Sequence, residues 1–457
     1  GDASPTTPDP STTASTTFVG PARGTPRAER DRWLADMIEF AIMKRTLLTR
    51  ARVGVAVLDT RTGESIYTRL ADRRFAIASV VKLMTTATAL ATLGPDYRFR
   101  TQLYADKLDN AGQIVRGNLY VKGGGDPTLT TASLLKTVVD LKLLGIHTVT
   151  GRVVVDDSLF DDRVLPPAFS QKNEDSAFRA PVSAASLNYN AVAARVIPTT
   201  DGELARVVIE PQSNYVQVIA DVTTIASGRT RLTVTSRPDG EHTVVEAHGT
   251  IRMDAAPVVL LRRIEHPVAF LGQGLLAMLA GQGIRVHRKD VRRGAVPAGA
   301  RLLVTNTSEP LSVIARDLNK YSNNFMAEML LKAIGAKAAG APGTSQKGIA
   351  AVLTFLDEVG LPRKSYRYEN GSGLYDSNGF SPAQIVSVLR HAYRDFRYSA
   401  DFVASLAQAG ADGTIVHRMV GAPAARFVRA KTGTLDGVSC LAGFAGTVGR
   451  PPLAFAI

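Results

Sequence analysis

Three short groups of residues carry side chains whose types and spacing could support catalysis. In the first, Ser79 and Lys82 stand three positions apart, so on a helix they would share one face. A serine hydroxyl is a weak nucleophile until a base removes its proton. Lys82 can be that base if burial and neighbouring cations lower its pKa. The pair therefore suits serine acyl transfer, although Ser79 alone could equally be a helix N-cap.

The second group is Ser322 and Asn324, which lie between two helical patterns at residues 311–321 and 325–331. Polar side chains at a short break between helices can point into a cleft. There, Ser322 could relay a proton to a leaving amine, and Asn324 could hold a substrate amide. The simpler alternative is an ordinary loop capped by serine and asparagine.

The third group, Lys431-Thr432-Gly433-Thr434, lies in a strand-like pattern near the end of the chain. An extended segment at a sheet edge can pair with a peptide substrate by strand addition. Lys431 and Thr432 could bind the terminal carboxylate of that peptide, and Lys431 could supply the positive charge near the base. The backbone N–H groups of Ser79 and Thr434 are predicted oxyanion donors, each worth on the order of 100-fold in rate.

The elements around these groups follow from hydrophobic patterning. Residues 79–93 are apolar and nearly uncharged, and Gly94 with Pro95 stops the run, so a buried helix beginning at Ser79 is predicted. Its first N–H groups would be unpaired at the positive end of the helix dipole. Residues 267–279 predict a further helix.

The three groups, S-x-x-K, S-x-N and K-T-G in this order, resemble the active-site signature of penicillin-interacting serine acyl transferases. Further segments are similar to one family among these enzymes, peptidase family S13. Its members are class C low-molecular-mass penicillin-binding proteins, which are D-alanyl-D-alanine carboxypeptidases and endopeptidases. The similar segments are residues 123–129, 188–190, 370–374 and 412–414.

The resemblance implies a serine D,D-carboxypeptidase, with D,D-endopeptidase action also open, acting on D-Ala-D-Ala-type stem peptides of bacterial peptidoglycan. Lys82 would deprotonate Ser79, which would attack the carbonyl carbon of the penultimate D-Ala. N–H groups of Ser79 and Thr434 would hold the oxyanion, and a path through Ser322 and Lys431 would protonate the leaving amine. Water would then hydrolyse the acyl-enzyme. β-Lactams would acylate the same serine and act as covalent inhibitors.

Spacing favours this family over its relatives. Lys82 and Ser322 are 240 positions apart, whereas a class A β-lactamase needs a far shorter gap, so about 200 residues are inserted between the two motifs. A β-lactamase or esterase on the same fold stays open as an alternative. So does a non-catalytic wall-binding or β-lactam-sensing module, although intact motifs argue against decay.

The resemblance implies an α+β multidomain fold. A transpeptidase/β-lactamase-like domain, with an antiparallel five-stranded sheet flanked by helices, would be interrupted by two inserted β-rich domains. Residues 27–96 and 303–457 are predicted to form the catalytic domain. Residues 97–190 and 256–302 would form inserted domain II, and residues 191–255, which alternate in hydrophobicity, an all-β domain III.

Residues 1–26 are rich in Ser, Thr and Pro and are predicted to be disordered. No apolar run reaches about 18 residues, so neither a transmembrane segment nor a signal peptide is predicted. Because the family is exported, we expect a periplasmic or cell-wall location, with a signal or membrane tether removed by processing. Ile457 ends inside a strand pattern where the family continues with a helix, which suggests a truncated C-terminus.

Charge and cysteine content limit the partners. The net charge of +13 suits a polyanion, but no nucleic-acid-binding motif is present. Anionic cell-wall polymers fit the family better, and a solvated basic surface is the simplest alternative. The single cysteine, Cys440, excludes an internal disulfide and is predicted to be a small core residue. The histidines show no ligand spacing, so no metal and no cofactor are expected.

One departure from the family bears on specificity. Where the family commonly has Gly-Ser-Gly-Leu-Ser-Arg, residues 371–376 end in Tyr375 and Asp376. In several relatives that arginine meets the side-chain carboxylate of the stem diamino acid, which Asp376 would repel. The hypothesis is that the preferred stem peptide has an amidated or carboxylate-free side chain at that position.

Overall fold

The computed structural model describes residues 20–22 and 24–457, so most of the predicted disordered segment at residues 1–26 lies outside the described residues. The described residues contain ten α-helices. Their bounds are α1 (Arg27–Met43), α2 (Thr46–Arg50), α3 (Lys82–Leu93), α4 (Thr131–Leu143), α5 (Pro267–Gly281), α6 (Leu311–Tyr321), α7 (Asn324–Ala339), α8 (Ser345–Glu358), α9 (Pro382–Arg394) and α10 (Ser399–Ser405).

The strands of the described residues form several separate sheets. Their bounds are β1 (Val55–Asp59), β2 (Ser65–Arg69), β3 (Phe75–Ala76), β4 (Arg100–Leu108), β5 (Ile114–Lys122), β6 (Thr148–Val149), β7 (Val153–Asp156), β8 (Ala191–Ile197), β9 (Arg206–Glu210), β10 (Val216–Ile225), β11 (Arg231–Asp239), β12 (His242–Arg252), β13 (Val258–Arg263), β14 (Arg285–Val286), β15 (Val291–Arg293), β16 (Arg301–Thr307), β17 (Gly379–Phe380), β18 (Ala407–Gln408), β19 (Val428–Leu435), β20 (Val438–Thr447) and β21 (Arg450–Ala456).

A six-stranded antiparallel sheet joins the two ends of the chain, in the order β18-β19-β20-β21-β1-β2. Ala56 of β1 lies opposite Ala456 of β21. The sequence predicted five strands here, and the sixth is the two-residue β18, which pairs with Arg429 and Ala430 of β19. Because β18 is so short, residues 431–434 have no strand on that side of β19 among the described residues.

Helices cover both faces of this sheet, as the alternation along β1 requires. Val55 and Val57 pack on α1 through Ile42. Ala56 and Leu58 face a larger core shared with α3, α6, α7, α8 and α9. The buried helix α3 is therefore held between the sheet and the other helices, which places its first residues at the rim of β19.

The chain between residues 100 and 307 builds three further sheets. A mixed seven-stranded sheet contains β4–β7 and β14–β16, and helices α4 and α5 pack on it. Two three-stranded sheets, β10-β12-β11 and β13-β8-β9, share its hydrophobic core. The predicted helix at residues 267–279 is confirmed as α5.

Two pairings bear on the predicted division of the chain. Strand β16 pairs with β4 up to Thr307. The predicted catalytic domain resumes earlier, at residue 303. Strand β13 pairs with β8, beyond the predicted end of the all-β segment at residue 255. Both strands belong with their hydrogen-bonded partners because a strand is stabilised by its ladder.

The helix predicted to begin at Ser79 has a different start. Ala78–Val81 form a 3-10 turn, and the α-helix begins at Lys82. Ala78 has a φ of 47°, which breaks the helical path before the serine.

Cys440 lies on β20, partly buried against the main core, as its apolar setting indicated. Among the described residues, no helix combines the length and the apolar character needed to span a membrane.

Candidate active site

The turn that carries Ser79 packs directly on strand β19. Gly433 makes this contact possible: a Cβ atom at that position would lie 2.5 Å from the carbonyl oxygen of Ile77 and 3.2 Å from the nitrogen of Val80. Only a residue without a side chain allows the two backbones to approach so closely. The backbones of Ser79 and Thr434, predicted to supply the oxyanion donors, therefore belong to segments in contact.

Lys82 is fully buried beneath Ser79. Its Nζ lies 2.8 Å from Ser79 Oγ, 2.8 Å from Asn324 Oδ1 and 2.5 Å from the carbonyl oxygen of Ser372. The last two atoms are acceptors only, so they take N–H groups from the lysine. A neutral amine has two N–H groups and one lone pair, and this arrangement leaves the lone pair for the hydroxyl of Ser79.

Burial shifts the pKa values of two lysines in this site. The pKa of Lys82 is held well below its usual value, first by burial and then by the positive charge of Lys431, while Glu328 opposes the shift. Burial lowers the pKa of Lys431 to about 7. A lowered pKa favours the neutral form of Lys82, which a general base needs, and a pKa of about 7 lets Lys431 exchange a proton near neutral pH.

Ser322 ends helix α6 in the left-handed conformation, with φ 57° and ψ 39°. Lys431 Nζ donates to Ser322 Oγ at 2.8 Å and to the carbonyl of Thr432 at 2.8 Å. The next helix, α7, begins at once because the side chain of Asn323 caps it by accepting from the N–H of Met326. This tight break between helices brings Ser322 to Lys431.

Asn324 bridges the catalytic helices and the inserted segment. Its Oδ1 accepts from Lys82, and its Nδ2 donates to the carbonyl oxygen of Phe178 at 3.1 Å. The sequence assigned this amide to substrate binding. In the structure, both ends of the amide are engaged with protein atoms, so its visible role is to orient Lys82.

Residues 431–434 form the open part of the sheet edge. The side chain of Thr434 is exposed, and Thr432 Oγ1 donates to Thr414 Oγ1 at 2.9 Å. Thr414 is presented by a short turn whose Asp412 is paired with Lys320 at 2.5 Å. Hydroxyl groups and a lysine thus surround a strip of backbone that β18 does not reach.

The two proposed specificity residues differ in exposure. Tyr375 is mostly buried, has a φ of 59°, and has Lys172 5.6 Å above its ring. Asp376 is exposed, but its carboxylate is paired with Arg367 at 2.8 Å. Arg367 thus faces this carboxylate, and the repulsion of a substrate carboxylate by Asp376 stays a prediction.

Several groups at the site were not assigned a role from the sequence. The segments containing Ser372 and Thr414 had been singled out, but not the carbonyl of Ser372 or the hydroxyl of Thr414. Glu328 had a signal, because it lies four residues after Asn324 in an apolar helix and so shares its face. The contact of Phe178 had none, because a backbone carbonyl is independent of residue type.

No group of three His, Cys, Asp or Glu residues in the described part of the chain is placed to hold a metal ion.

Comparison with known proteins gives consistent matches. Residues 34–457 match the model of the D-Ala-D-Ala carboxypeptidase 3 (S13) family. The chain is 35% identical over 418 residues to a D-alanyl-D-alanine carboxypeptidase of Actinomadura sp. (strain R39), which covers 88% of this chain and 77% of that protein.

Solved structures agree in fold. The crystal structure of penicillin binding protein 4 (DacB) from Haemophilus influenzae matches with a TM-score of 0.74 and 26% identity, covering 88% of this chain and 89% of that one. The same protein complexed with a novel β-lactam matches with a TM-score of 0.71 and 26% identity, covering 88% of each chain.

Proposed function

The chain belongs to the S13 family of D-Ala-D-Ala carboxypeptidases, and from this we propose that Ser79 is the nucleophile with which it cleaves its substrate. It is a serine-type peptidase that removes the terminal D-Ala from D-Ala-D-Ala-type stem peptides of bacterial peptidoglycan. The observation that carries the assignment is the environment of Lys82: Asn324 Oδ1 and the carbonyl of Ser372 accept from its Nζ, which lies 2.8 Å from Ser79 Oγ.

In the acylation step, neutral Lys82 takes the proton of Ser79 as the oxygen attacks the carbonyl carbon of the penultimate D-Ala. A C–O bond forms and the carbonyl oxygen becomes an oxyanion, held by the N–H groups of Ser79 and Thr434. Preorganised donors of this kind are each worth on the order of 100-fold in rate.

Collapse of the oxyanion breaks the C–N bond. Lys431, in its protonated form, passes a proton through Ser322 to the leaving nitrogen, and D-Ala departs as an amine. Lys82 has by then gained the proton of Ser79, and the transfer is balanced when it returns this proton to Lys431. Water then attacks the ester carbon while Lys82 takes its proton; the bond between that carbon and Ser79 Oγ breaks, Lys82 returns the proton to Ser79 Oγ, and the shortened peptide leaves with a new terminal carboxyl group.

Substrate binding uses the open edge of β19. An extended peptide pairs with residues 431–434, and Gly433 keeps that edge against the nucleophile. Lys431 and Thr432, with Thr414 beside them, bind the terminal carboxylate through a cation and two hydroxyl groups. Endopeptidase action on a peptide cross-link uses the same groups and is a second activity of this site.

The direct test is release of D-Ala from a synthetic peptide ending in Lys-D-Ala-D-Ala, with S79A as the matched control. We expect steady release by the natural protein and loss of at least about 1,000-fold in S79A, because covalent catalysis has no substitute nucleophile. Equal rates in both proteins would overturn the assignment of Ser79. Rapid hydrolysis of benzylpenicillin without release of D-Ala would identify a β-lactamase instead.

Tyr375 and Asp376 contribute to the choice of stem peptide in this proposal. Asp376 stands where the family commonly has an arginine, and the nearby Arg367 is already paired with the Asp376 carboxylate. An amidated or carboxylate-free diamino-acid side chain is therefore preferred. Comparing kcat/KM for amidated and free-acid peptides tests this, and a strong preference for the free acid would refute it.

The strand pairings favour a division of the chain close to the predicted one. The catalytic domain comprises residues 27–99 and 308–457, and the inserted sheets take the rest, with β16 and β13 kept beside their partners. Domain II then contains the seven-stranded sheet, and domain III the strands from β8 to β13.

The exposed basic strip around β14 and β15 favours an anionic cell-wall polymer as a partner. Arg285, Arg288, Lys289 and Arg292 are exposed within nine residues, and Asp290 is the one acidic side chain among them. Charge attraction of this kind weakens with salt. Cosedimentation with purified walls, before and after removal of their anionic polymers, should show salt-sensitive binding only to intact walls.

The proposed partner and the substrate both favour a location outside the cytoplasm, in the periplasmic or cell-wall space. Fractionation of cells that express the full-length protein, followed by immunoblotting, tests the location. Recovery in the cytoplasm alone would contradict it.

A further inference from the structure

Glu328 is a buried carboxyl group that the mechanism above does not use. It lies on α7 one turn beyond Asn324 and is 1% exposed. Its Oε1 accepts from the backbone N–H of Ser372 at 2.8 Å, while its Oε2 is buried without a hydrogen-bond partner. A carboxyl group is costly to bury, so its place behind the general base calls for a reason.

Side chains form several hydrogen bonds with the backbone of the loop at residues 370–374. Thr85 donates to the carbonyl of Gly371 at 2.8 Å, and Asn370 accepts from the N–H of Gly373 at 2.8 Å. Glu328 supplies the acceptor for Ser372 between them. The loop also abuts the nucleophile turn, since a Cβ at Gly373 would lie 2.1 Å from the carbonyl oxygen of Ala78.

The loop at residues 370–374 contacts Lys82 through one backbone atom. The carbonyl oxygen of Ser372 accepts from Lys82 Nζ at 2.5 Å and lies 3.5 Å from Ser79 Oγ. This carbonyl shares a peptide unit with the N–H of Gly373, whose acceptor is Asn370, while Glu328 fixes the preceding peptide unit through the N–H of Ser372. If that N–H lost its acceptor, the loop would have to turn to satisfy it, and the carbonyl would leave Lys82.

The charged surroundings of Glu328 agree with this arrangement. Burial raises its pKa, and the side chain of Ser372, the N–H groups of Gly371 and Ser372, and the charge of Lys82 oppose the shift. Besides Lys82, Glu328 affects Tyr368, whose hydroxyl lies 2.8 Å from that of Thr85. Burial raises the pKa of Tyr368, and the charge of Glu328 adds to this shift. Lys332, the next charged residue on α7, pairs with Asp161 instead.

We propose that Glu328 is a positioning residue for the general base: it holds the Ser372 backbone so that the Ser372 carbonyl and Asn324 together orient Lys82 toward Ser79. Its hydrogen-bond acceptor does this work, and its negative charge is not required. The inference rests on the proposed roles of Ser79 and Lys82.

The test separates the acceptor from the charge. E328Q keeps an oxygen at the same reach and removes the charge, whereas E328D keeps the charge on a side chain shorter by one methylene. E328L removes both. For each variant, stopped-flow acylation by benzylpenicillin gives the acylation rate constant k2 and the dissociation constant K of the first complex, scaled to the fraction of protein that finally carries the adduct.

We expect E328Q to keep k2 within about threefold, and E328D and E328L to lose about 100-fold with K nearly unchanged, because a displaced base loses most of its catalytic effect. A residue that only supports folding would lower the active fraction and leave k2 alone. If E328L does not fold, the contrast between E328Q and E328D still decides.

Two results would overturn the inference: k2 retained by E328D but lost by E328Q, or k2 unchanged in all three variants. Both require that the natural protein be acylated at Ser79. If it is not acylated at all, the proposed function has failed, and that outcome is distinct from a failure of the inference.

Discussion

Lys82 and Lys431 are both buried, but opposite protonation states are required of them. Acylation needs Lys82 neutral, so its rate falls as the pH drops through the lowered pKa of Lys82. Proton delivery to the leaving group needs Lys431 charged, so the rate falls as the pH rises through about 7. The two requirements together give a bell-shaped profile.

Replacing Lys431 should move the acid limb of that profile. Its positive charge lowers the pKa of Lys82, so K431Q, which removes the charge, should raise that pKa and shift the acid limb to higher pH. K431R keeps the charge and should leave the acid limb in place. The pH dependence of k2/K for benzylpenicillin measures both variants, and an acid limb that stays put in K431Q would contradict the coupling.

The motif residues could be predicted from the sequence, but the atoms that orient them could not. Ser79, Lys82, Ser322 and Lys431 were expected to act together; the side chain of Lys82 contacts that of Ser79, and the side chain of Lys431 contacts that of Ser322. The carbonyl of Ser372 could not be foreseen, because any residue supplies the same backbone oxygen. Its position depends on a loop whose partners are distant in sequence.

At the scale of elements, the contact between β19 and the turn that carries Ser79 leaves the least space for a side chain. Gly433 lies where any Cβ would meet the carbonyl of Ile77 at 2.5 Å. We expect G433A to push the strand from the turn and to lower the rate of acylation by about 100-fold, since displacements near 1 Å have effects of that size. Stopped-flow acylation by benzylpenicillin measures it.

Gly446 on β20 offers a matched control for this change. A Cβ there would meet its nearest neighbour, in Pro452, at 3.7 Å, which is an ordinary contact. G446A should therefore acylate at the natural rate. Equal losses in both variants would mean that the sheet tolerates alanine poorly in general, and the close contact at Gly433 would have no special role.

Local patterning predicted helices better than their exact starts. Residues 311–321 were expected to be helical and form α6 with those bounds, because the apolar stripe and the polar break after it are both local. The helix at Ser79 begins with a 3-10 turn because Ala78 adopts a positive φ. That conformation follows from packing against Gly373 and Gly433, which lie hundreds of residues away.

At the scale of the whole molecule, the inserted segment is tied to the catalytic helices by a buried ion pair. Lys332 of α7, fully buried, pairs with Asp161 at 2.6 Å and donates to the carbonyl of Arg163 at 2.8 Å. We expect K332M to destabilise the protein by about 3–5 kcal/mol, because it leaves Asp161 without its partner. Thermal and urea unfolding measure the loss.

The exposed pair of Lys136 and Asp140 gives the control for this prediction. Its atoms are 3.1 Å apart, but the lysine side chain is 74% exposed. K136M should change stability by less than about 1 kcal/mol, because solvent screens such pairs. If K332M is as mild as K136M, the ion pair does not hold the insertion in place.

The overall architecture was predicted in outline because motif order and spacing carry it. The mixed α/β fold with several sheets agrees with that outline. The pairing of distant strands could not be predicted from the sequence. Strand β18, the sixth in its sheet, has only two residues, which are too few to show a strand-like pattern of hydrophobicity. The pairing of β16 with β4 likewise depends on partners about 200 residues apart.

The central claim is that Ser79 forms the acyl-enzyme. An intact-mass time course with excess benzylpenicillin, followed by peptide mapping, tests it most directly. We predict a long-lived adduct of one penicillin per chain on the peptide that contains Ser79, and none in S79A. An adduct on any other residue, or intact drug with unmodified protein, would contradict the account.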